Sequence, residues 1–513
     1  MVPSSLRCLD RTTLYGKRCL TKRNASGRPV VREGLSVGGE ADVVVVGAGP
    51  GGIACAIAAA EGGASAVLLE KTADIGGALP WSGGHLSAGG FSLQRARGIE
   101  DDPERHWRDI ARISGGTGRE DLTRLSLGEQ PSVLEWLLDA GLVVDPATPR
   151  IVHGHEQYLV PRTVHASEVP GGPALLTVLR RLLAPHLASG AVRLHSRAEV
   201  TELRSAPDGR VAGVVTADGR FFGGAAVVLA TGGFGHDPGL FAELDNAPLT
   251  TSAAPTATGD GIRLGRAVGA GIQGRGMYLP TFGGLPPEPG TLRVDWVHRP
   301  QLVAPERPPW EVYVDMRGRR WTAEDEPSID RKERALARLE RMTFWTVFDA
   351  RALRMSQPMV HGWTPEEFDA VCGRRRGLHR APDLPALARL AGIAPGGLVA
   401  QTDRYNGFVA AGHDPEFGRT HLPAPLVEPP FYAVENRPVT VITFAGLDVD
   451  TRLRVRREDG SVIPGLYAVG EVIGSAAVNG NSFCSGMCLT PAMAFGRILG
   501  RALADRAAPG PAA

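Results

Sequence analysis

Sustained hydrophobic patterning begins at Ala41. Asp42-Val43-Val44-Val45-Val46 is a β-branched run with no polar residue after Asp42, the pattern of a strand buried on both faces of a parallel sheet. Gly47-Ala48-Gly49-Pro50-Gly51-Gly52 interrupts it, and the small residues from Ile53 to Ala60 predict a helix. Ala66-Val67-Leu68-Leu69 predicts a second buried strand ending at Glu70, which completes one β–α–β unit. From about 100 to 190 the pattern is mostly helical. Asp102-Pro103 places proline at a first helical position, and Ala174 to Leu187 carries leucines at helical spacing. Short alternating segments follow at Val192–Leu194, Val200–Leu203 and Val211–Thr216, with a turn at Asp218-Gly219. A further buried strand, Ala225 to Ala230, is closed by Thr231-Gly232-Gly233.

Near 280 the pattern changes. Prolines and tryptophans become frequent (Pro286, Pro287, Pro289, Trp296, Trp310) and the buried apolar strands stop. The stretch 280–430 therefore reads as a separate α+β unit, in which Arg331 to Met342 is the clearest amphipathic helix. Strand character returns at Gly465 to Glu471, and a final helix is predicted from about Thr490 to Ala504, before a frayed tail. The segment 1–40 carries Arg7, Arg11, Lys17, Arg18, Lys22, Arg23, Arg28 and Arg32 without apolar periodicity, and reads as a disordered basic leader. The expected division is thus a leader at 1–40, a dinucleotide domain at 41–279, an inserted unit at 280–430, and the rest of the dinucleotide domain at 431–513.

Composition narrows the function classes. With 56 Lys+Arg against 55 Asp+Glu in 513 residues, the formal charge is +1, which argues against nucleic-acid binding. No apolar run approaches the ~20 residues of a membrane span. Six cysteines, Cys8, Cys19, Cys55, Cys372, Cys484 and Cys488, form no CxxC pair and are too sparse for a disulfide scaffold, so a reducing, cytoplasmic setting is expected. His153 and His155 lack a third ligand at a metal-site spacing, and no metal is expected.

Gly47-x-Gly49-x-x-Gly52, between a strand and a helix, is a dinucleotide fingerprint. The first glycine allows the tight turn and the second lets the backbone approach a pyrophosphate, which Pro50 and Gly51 place at a helix N-terminus. The third permits close helix–strand contact. Glu70, at the end of the next strand, is placed for ribose hydroxyls. Gly76-Gly77 and Ser82-Gly83-Gly84 supply further glycine-rich turns near the pyrophosphate, Ala230-Thr231-Gly232 ends a later strand, and Gly470-Glu471 ends a strand near the C-terminus.

In that order these segments resemble the glutathione-reductase-like FAD fold, which implies FAD as cofactor and Glu471 on its ribityl chain. Five more segments resemble the fumarate reductase/succinate dehydrogenase flavoprotein superfamily: Thr258-Gly259-Asp260-Gly261, Pro161-Arg162-Thr163 before Gly171-Gly172, Gly318-Arg319-Arg320-Trp321 before Glu324, Phe417-Gly418-Arg419, and Pro491 to Gly496. The last is most similar to the ketosteroid dehydrogenase and tricarballylate dehydrogenase branches. The resemblance implies an α/β fold, a glutathione-reductase-like FAD-binding Rossmann domain with an inserted α+β capping domain. It also adds Lys71, Val200, Asp260, Cys488 and Leu489 to the cofactor residues, and aims the segment Gly486 to Thr490 at the flavin's pyrimidine edge.

The implied chemistry is hydride exchange with a carbon–carbon bond beside an electron-withdrawing group, which also needs an acid or base for the second carbon. The His and Arg that clamp dicarboxylates in fumarate reductases are matched here by Ile442 and Ser482, so fumarate and succinate are not expected as substrates. The proton-transfer position is matched by Ser328, a poor acid unless assisted, and the late-loop Tyr of ketosteroid dehydrogenases by Phe483. Arg162, His165 and Arg331 are the other catalytic candidates, with Tyr278, His298, Tyr313 and Arg437 as further local options. His85 could carry a covalent flavin link, and Cys484 with Cys488 a redox pair. No second GxGxxG unit follows a strand, which implies an external electron donor or acceptor. The expectation is an FAD-dependent dehydrogenase or ene reductase. A flavin-binding scaffold without catalysis and an FAD-dependent oxidase using O2 are the alternatives.

Overall fold

The structure, a computed structural model, describes residues 36–168 and 170–507. The leader as far as residue 35, Cys8, Cys19 and the tail from 508 lie outside them. The first strand is Ser36–Val46, so regular structure starts five residues before Ala41 and takes in the end of the segment expected to be disordered.

The main sheet has eight strands. Its parallel centre runs in the order Val462–Ala468, Arg220–Leu229, Ser36–Val46, Ala66–Leu69 and Val192–His195. Arg454–Arg456 closes one edge antiparallel, and the hairpin of Val200–Ser205 with Val211–Thr216 pairs back onto Arg220–Leu229. The register decides the site. Val46 lies beside Leu69 and beside Leu229, and Leu229 lies beside Ala468. Hence Gly47, Glu70, Ala230 and Val469, each the next residue in its strand's path, meet at the carboxyl edge of the sheet, where the order of strands reverses and open α/β sheets hold their ligands.

Helix Pro50–Glu61 packs under this edge against the closing helix Leu489–Ala507. The approach depends on two missing side chains. A Cβ on Gly496 would strike the Gly51 carbonyl, and one on Gly500 the Cys55 carbonyl. The stretch 100–190 contains helices Pro103–Ser114, Glu120–Asp139 and Gly171–Ala188, but it is not mostly helical in its middle. Residues 140–162 form turns and loops, followed by a two-residue strand, Thr163–Val164, paired with Leu86–Ser87. Prolines 146, 149 and 161 cannot donate to a helix and interrupt one here.

The inserted unit is built on a five-stranded antiparallel sheet. Phe431–Val439 is its hub, flanked on one side by Phe344–Asp349 and on the other by Leu378–Ala381 and Thr281–Gly284. The unit therefore keeps the chain until Val439, and the sequence boundary at 430 falls just before its central strand. The expected helix from Arg331 to Met342 is displaced as well. It runs Ile329–Leu336, capped by Ser328, and is followed by a short turn in which Arg341 and Met342 have φ of +56° and +50°. No helix of the described residues is long and apolar enough to cross a membrane.

Candidate active site

A cavity of about 1250 Å³ opens at the carboxyl edge of the main sheet and extends under the inserted unit. Small-molecule clefts usually span about 300–1,000 Å³, so this one has room for a dinucleotide and a second molecule. Its walls include Gly47, Gly49, Pro50, Gly51, Glu70 and Lys71 from the first β–α–β unit. Gly77, Ser82, Gly83 and Gly84 follow from the next turns, and Val200, Ala230, Thr231, Gly232 and Asp260 from the middle of the chain. Gly470, Glu471, Cys488 and Leu489 come from its end. Gly52 and Gly76 do not line it. Gly52 lies behind the wall, where a Cβ would strike the Gly47 carbonyl, and Gly76 donates its N–H to Ala48 O at 2.8 Å with φ of +125°. Both shape the wall from behind.

Three features of this wall fit an FAD. Gly49 has only the Gly77 Cα within 4.0 Å of where its Cβ would be, so the main chain there faces open space, at the N-terminus of a helix whose first amides have no intrahelical partner. Glu70 is buried and holds the turn together. Its Oε2 accepts from Ala48 N at 3.0 Å, and its Oε1 from Thr72 N and Oγ1 at 2.8 and 2.9 Å. Thr231 Oγ1 and Ser475 Oγ, both on cavity-lining residues, are buried without a hydrogen-bond partner among the described residues. Lys71 is already engaged, donating to Asp260 at 2.6 Å and to Thr256 O and Thr258 Oγ1 at 2.7 Å. Glu471 accepts from Thr443 N and Oγ1 at 2.8 and 2.9 Å, and burial raises its pKa against those two bonds.

The expected catalytic set separates. Arg162 is not in the cavity. Its fully buried guanidinium is paired with Asp101 (2.9 Å) and Asp109 (2.7 Å), which makes it a clamp between segments. Ser328 is a helix cap, accepting from Arg331 N at 3.1 Å and donating to Glu156 at 2.6 Å. Arg331 is exposed, with a side chain 76% accessible and 3.4 Å from Glu326. These three expectations are corrected for one physical reason: a motif match fixes chain position and leaves side-chain direction open. His165 and Phe483 do line the cavity, and so does His85. Tyr278, His298, Tyr313 and Arg437 do not, each being turned to a local partner: Thr440, Asp295, Glu311 and Glu435 respectively. Cys484 and Cys488 are free thiols, and burial pushes both pKa values up, that of Cys484 to about 12, so neither is a ready thiolate.

The cavity brings residues the sequence named singly together with others it did not single out, Arg150, Trp81, Arg293 and Glu333. The His85 and His165 rings are 4.7 Å apart, Arg150 Nε donates to His165 Nε2 at 3.0 Å, and the His155 ring is 4.2 Å from Phe483. Burial first, then neighbouring positive charge, lowers His85 to about 4 and His155 to about 3, so both rings are neutral at pH 7. No group of three His, Cys, Asp or Glu among the described residues is placed to hold a metal. Arg293 lies 4.0 Å over the Trp81 ring and joins the inserted unit to the glycine-rich turns. Glu333 is 3% exposed and lines the cavity. A signal for it was present, because Ile329, Glu333 and Leu336 fall at i, i+4 and i+7 on one helix face. For Arg150 and Trp81 no periodicity pointed inward.

Known proteins agree with this geometry. The chain is 28% identical to a probable fumarate reductase of Shewanella frigidimarina over 89% of its own length and 74% of that protein. It is 29% identical to the digoxin reductase of Eggerthella lenta, over 91% and 87%. The 3-ketosteroid Δ1-dehydrogenase of Sterolibacterium denitrificans, solved with 1,4-androstadiene-3,17-dione, shares the fold with a TM-score of 0.73 at 21% identity, covering 91% of this chain and all of that one. An FAD binding domain model matches residues 42–489. The chain belongs to that family, within the fumarate reductase/succinate dehydrogenase flavoprotein superfamily, and is an FAD-dependent dehydrogenase or reductase of carbon–carbon bonds.

Proposed function

We propose that this enzyme forms or reduces a C=C bond beside a carbonyl in a medium-sized organic substrate, in specialised metabolism, and that fumarate and succinate are not its substrates. When bound, FAD supplies hydride exchange with one substrate carbon. The chain's own residues position the substrate, keep water out and handle the proton.

One observation carries the reading. The two positions that clamp a dicarboxylate in fumarate reductases hold groups that cannot do so. Ile442 presents an apolar side chain to the cavity, and Ser482 is buried with its hydroxyl donated to Asn479 O at 2.9 Å. The cavity that Ile442 lines is also lined by Trp81, Phe282, Trp296 and Phe483, apolar groups suited to a ring system. The inserted unit acts as a cap, supplying Phe282 and Trp296 over a floor of glycines. The similarity to a digoxin reductase is in keeping with a substrate larger than fumarate. An external electron partner and a cytoplasmic setting complete the proposal; the four cysteines of the described residues are all free.

The test uses holoenzyme photoreduced without oxygen and mixed with a panel of cyclic enones and with fumarate. At least one enone should reoxidise the flavin ~10²-fold faster than fumarate does, a ratio set by a charged group left without its partner. Fumarate as the best oxidant would overturn the substrate class.

A further inference from the structure

Proton transfer lacks an owner in the site described above. Ser328 gives its hydroxyl hydrogen to Glu156, Arg331 faces solvent, and Arg162 is locked between two aspartates. We propose that Glu333 fills the vacancy: its side-chain carboxyl, on the cavity face of helix Ile329–Leu336, gives the proton to the substrate carbon next to the one that exchanges hydride, and takes it back in the opposite direction. This rests on the C=C chemistry proposed above.

Placement is the first argument. Glu333 is 3% exposed and lines the cavity together with Ile329, Thr281 and Phe282. Its helix is tied at both sides to the loops that carry the other substrate-facing groups. The cap Ser328 is bonded to Glu156, next to His155, whose ring lies against Phe483. Arg334 reaches Asn481 O and Oδ1 at 3.3 and 3.2 Å, in the late loop that also carries Phe483.

The second argument is the absence of a cation. Each basic neighbour on the helix is turned elsewhere: Arg331 to Glu326, Lys332 to Leu302 O at 2.9 Å, and Arg334 to Asp330 at 2.5 Å. The only hydrogen bond to the Glu333 carboxyl among the described residues is from Phe282 N to Oε1, at 3.2 Å. Oε2 has no hydrogen-bond partner among the described residues, and Glu333 lines the cavity. The charged and titratable groups around it are Asp330 and Arg334 on its own helix, Glu156 on the facing loop and Tyr278. Burial, then Asp330 and Glu156, raise its pKa well above the carboxylate range, against the weaker pull of Phe282 N and Arg334. A carboxyl that burial makes hold its proton more tightly than an exposed one, in an apolar wall, is equipped to donate it.

The step balances simply. In the reducing direction the Oε2–H bond breaks as a C–H bond forms at the carbon α to the carbonyl, whose electron pair takes the proton. The carboxylate left behind recovers a proton from water. In the dehydrogenating direction the same oxygen accepts the α proton, the electron pair of that C–H bond becomes the C=C bond, and the hydrogen on the neighbouring carbon leaves with its own pair as the hydride that FAD would accept.

Two measurements on the holoenzyme decide the matter, with Glu333→Gln, Glu333→Asp and Arg331→Ala as variants. Infrared difference spectra at neutral pH should show a protonated-carboxyl C=O band that Glu333→Gln removes, a readout that needs no turnover. Anaerobic reoxidation of photoreduced enzyme by cyclohex-2-enone should fall ~10²–10⁴-fold in Glu333→Gln with flavin content unchanged. Glu333→Asp should recover part of the rate, and Arg331→Ala should match the wild type. An ionised Glu333, or a Glu333→Gln variant as fast as wild type, overturns the assignment and leaves the reaction class standing. A wild type inert to this enone and to the rest of the panel overturns the reaction class and the role of Glu333 with it.

Discussion

The wall at the carboxyl edge of the main sheet and the interior of the inserted unit are both polar and both buried, yet they are made of different material. The wall is largely main chain: glycine turns bring carbonyls and amides to the cavity, and Glu70 and Glu471 brace them through backbone N–H groups of Ala48, Thr72 and Thr443. The inserted unit holds itself together with side-chain charge. Arg320 bridges Glu324 at 2.6 Å and Asp414 at 2.9 Å, and Arg419 adds a 3.1 Å contact to Glu324, all four side chains being fully buried or nearly so. Arg307 pairs with Glu311 at 2.8 Å nearby. A floor of peptide groups suits a fixed cofactor, whose phosphates need closely approaching amides. An ionic lattice instead fixes the orientation of a few connecting segments, because each charge is tolerated only with its partners in place.

Removing one member of the lattice should therefore have the largest effect. Arg320→Met leaves Glu324 and Asp414 facing each other with one fewer cation, and breaking such a buried pair costs about 3–5 kcal/mol. Chemical denaturation should show that loss mainly in the inserted unit, with flavin absorbance surviving to higher denaturant than the unit's tryptophan signal. Simultaneous loss of both signals would mean that the two regions do not differ in this way.

A smaller effect is expected where the floor meets a side chain. Gly233 follows the Thr231-Gly232 turn, and a Cβ there would collide with Thr443 Oγ1 and Glu471 Oε1. Gly233→Ala forces that bonded pair apart, an overpacking cost of about 1–3 kcal/mol. Purified protein should carry less flavin per chain at unchanged helix content, as read from the ratio of visible to ultraviolet absorbance. Full flavin occupancy would show that the Thr443–Glu471 pair is not needed to hold the cofactor.

The same contrast explains what could be read from the chain. Gly47, Glu70, Ala230 and Glu471 were legible because main-chain geometry demands glycine or a strand end at fixed points, and register alone then gathers them. Arg162 was placed at the site by its motif, but Asp101 and Asp109, 61 and 53 residues away in sequence, turn it inward to a structural pair. The boundary at 430 counted residues 431–439 with the dinucleotide domain; with Glu435, Asn436, Arg437 and Pro438 they show no continuous apolar run, and only pairing with Phe344–Asp349 and Leu378–Ala381 places their strand. Glu333 was legible in principle from helix periodicity, but nothing in the charged run Asp330-Arg331-Lys332-Glu333-Arg334 singles out one of its members as inward.

Asp245 is where the main-sheet half departs from both patterns. It ends helix Pro238–Leu244, is 5% exposed, and neither carboxyl oxygen has a hydrogen-bond partner among the described residues. Burial pushes its pKa up to about 7, with the amides of Ala445 and Phe444 pulling weakly the other way. Asp414 in the inserted unit also feels burial, but the Arg320 bond and charge outweigh it, and its pKa is lowered. The two groups thus predict opposite responses to pH. An unfolded Asp titrates near ~3.9, so the folded state holds a proton at Asp245 that the unfolded chain has lost. The stability this contributes is fully present below about pH 4 and is lost as pH rises through the folded value near 7. Asparagine cannot ionise. Asp245→Asn should flatten the fall in melting temperature between pH 5 and pH 8 by on the order of 2 °C, whereas Asp414→Asn should lower the melting temperature at both. Parallel profiles for wild type and Asp245→Asn would mean that Asp245 finds a partner in solution, and that this half of the molecule pairs its buried charges as the inserted unit does.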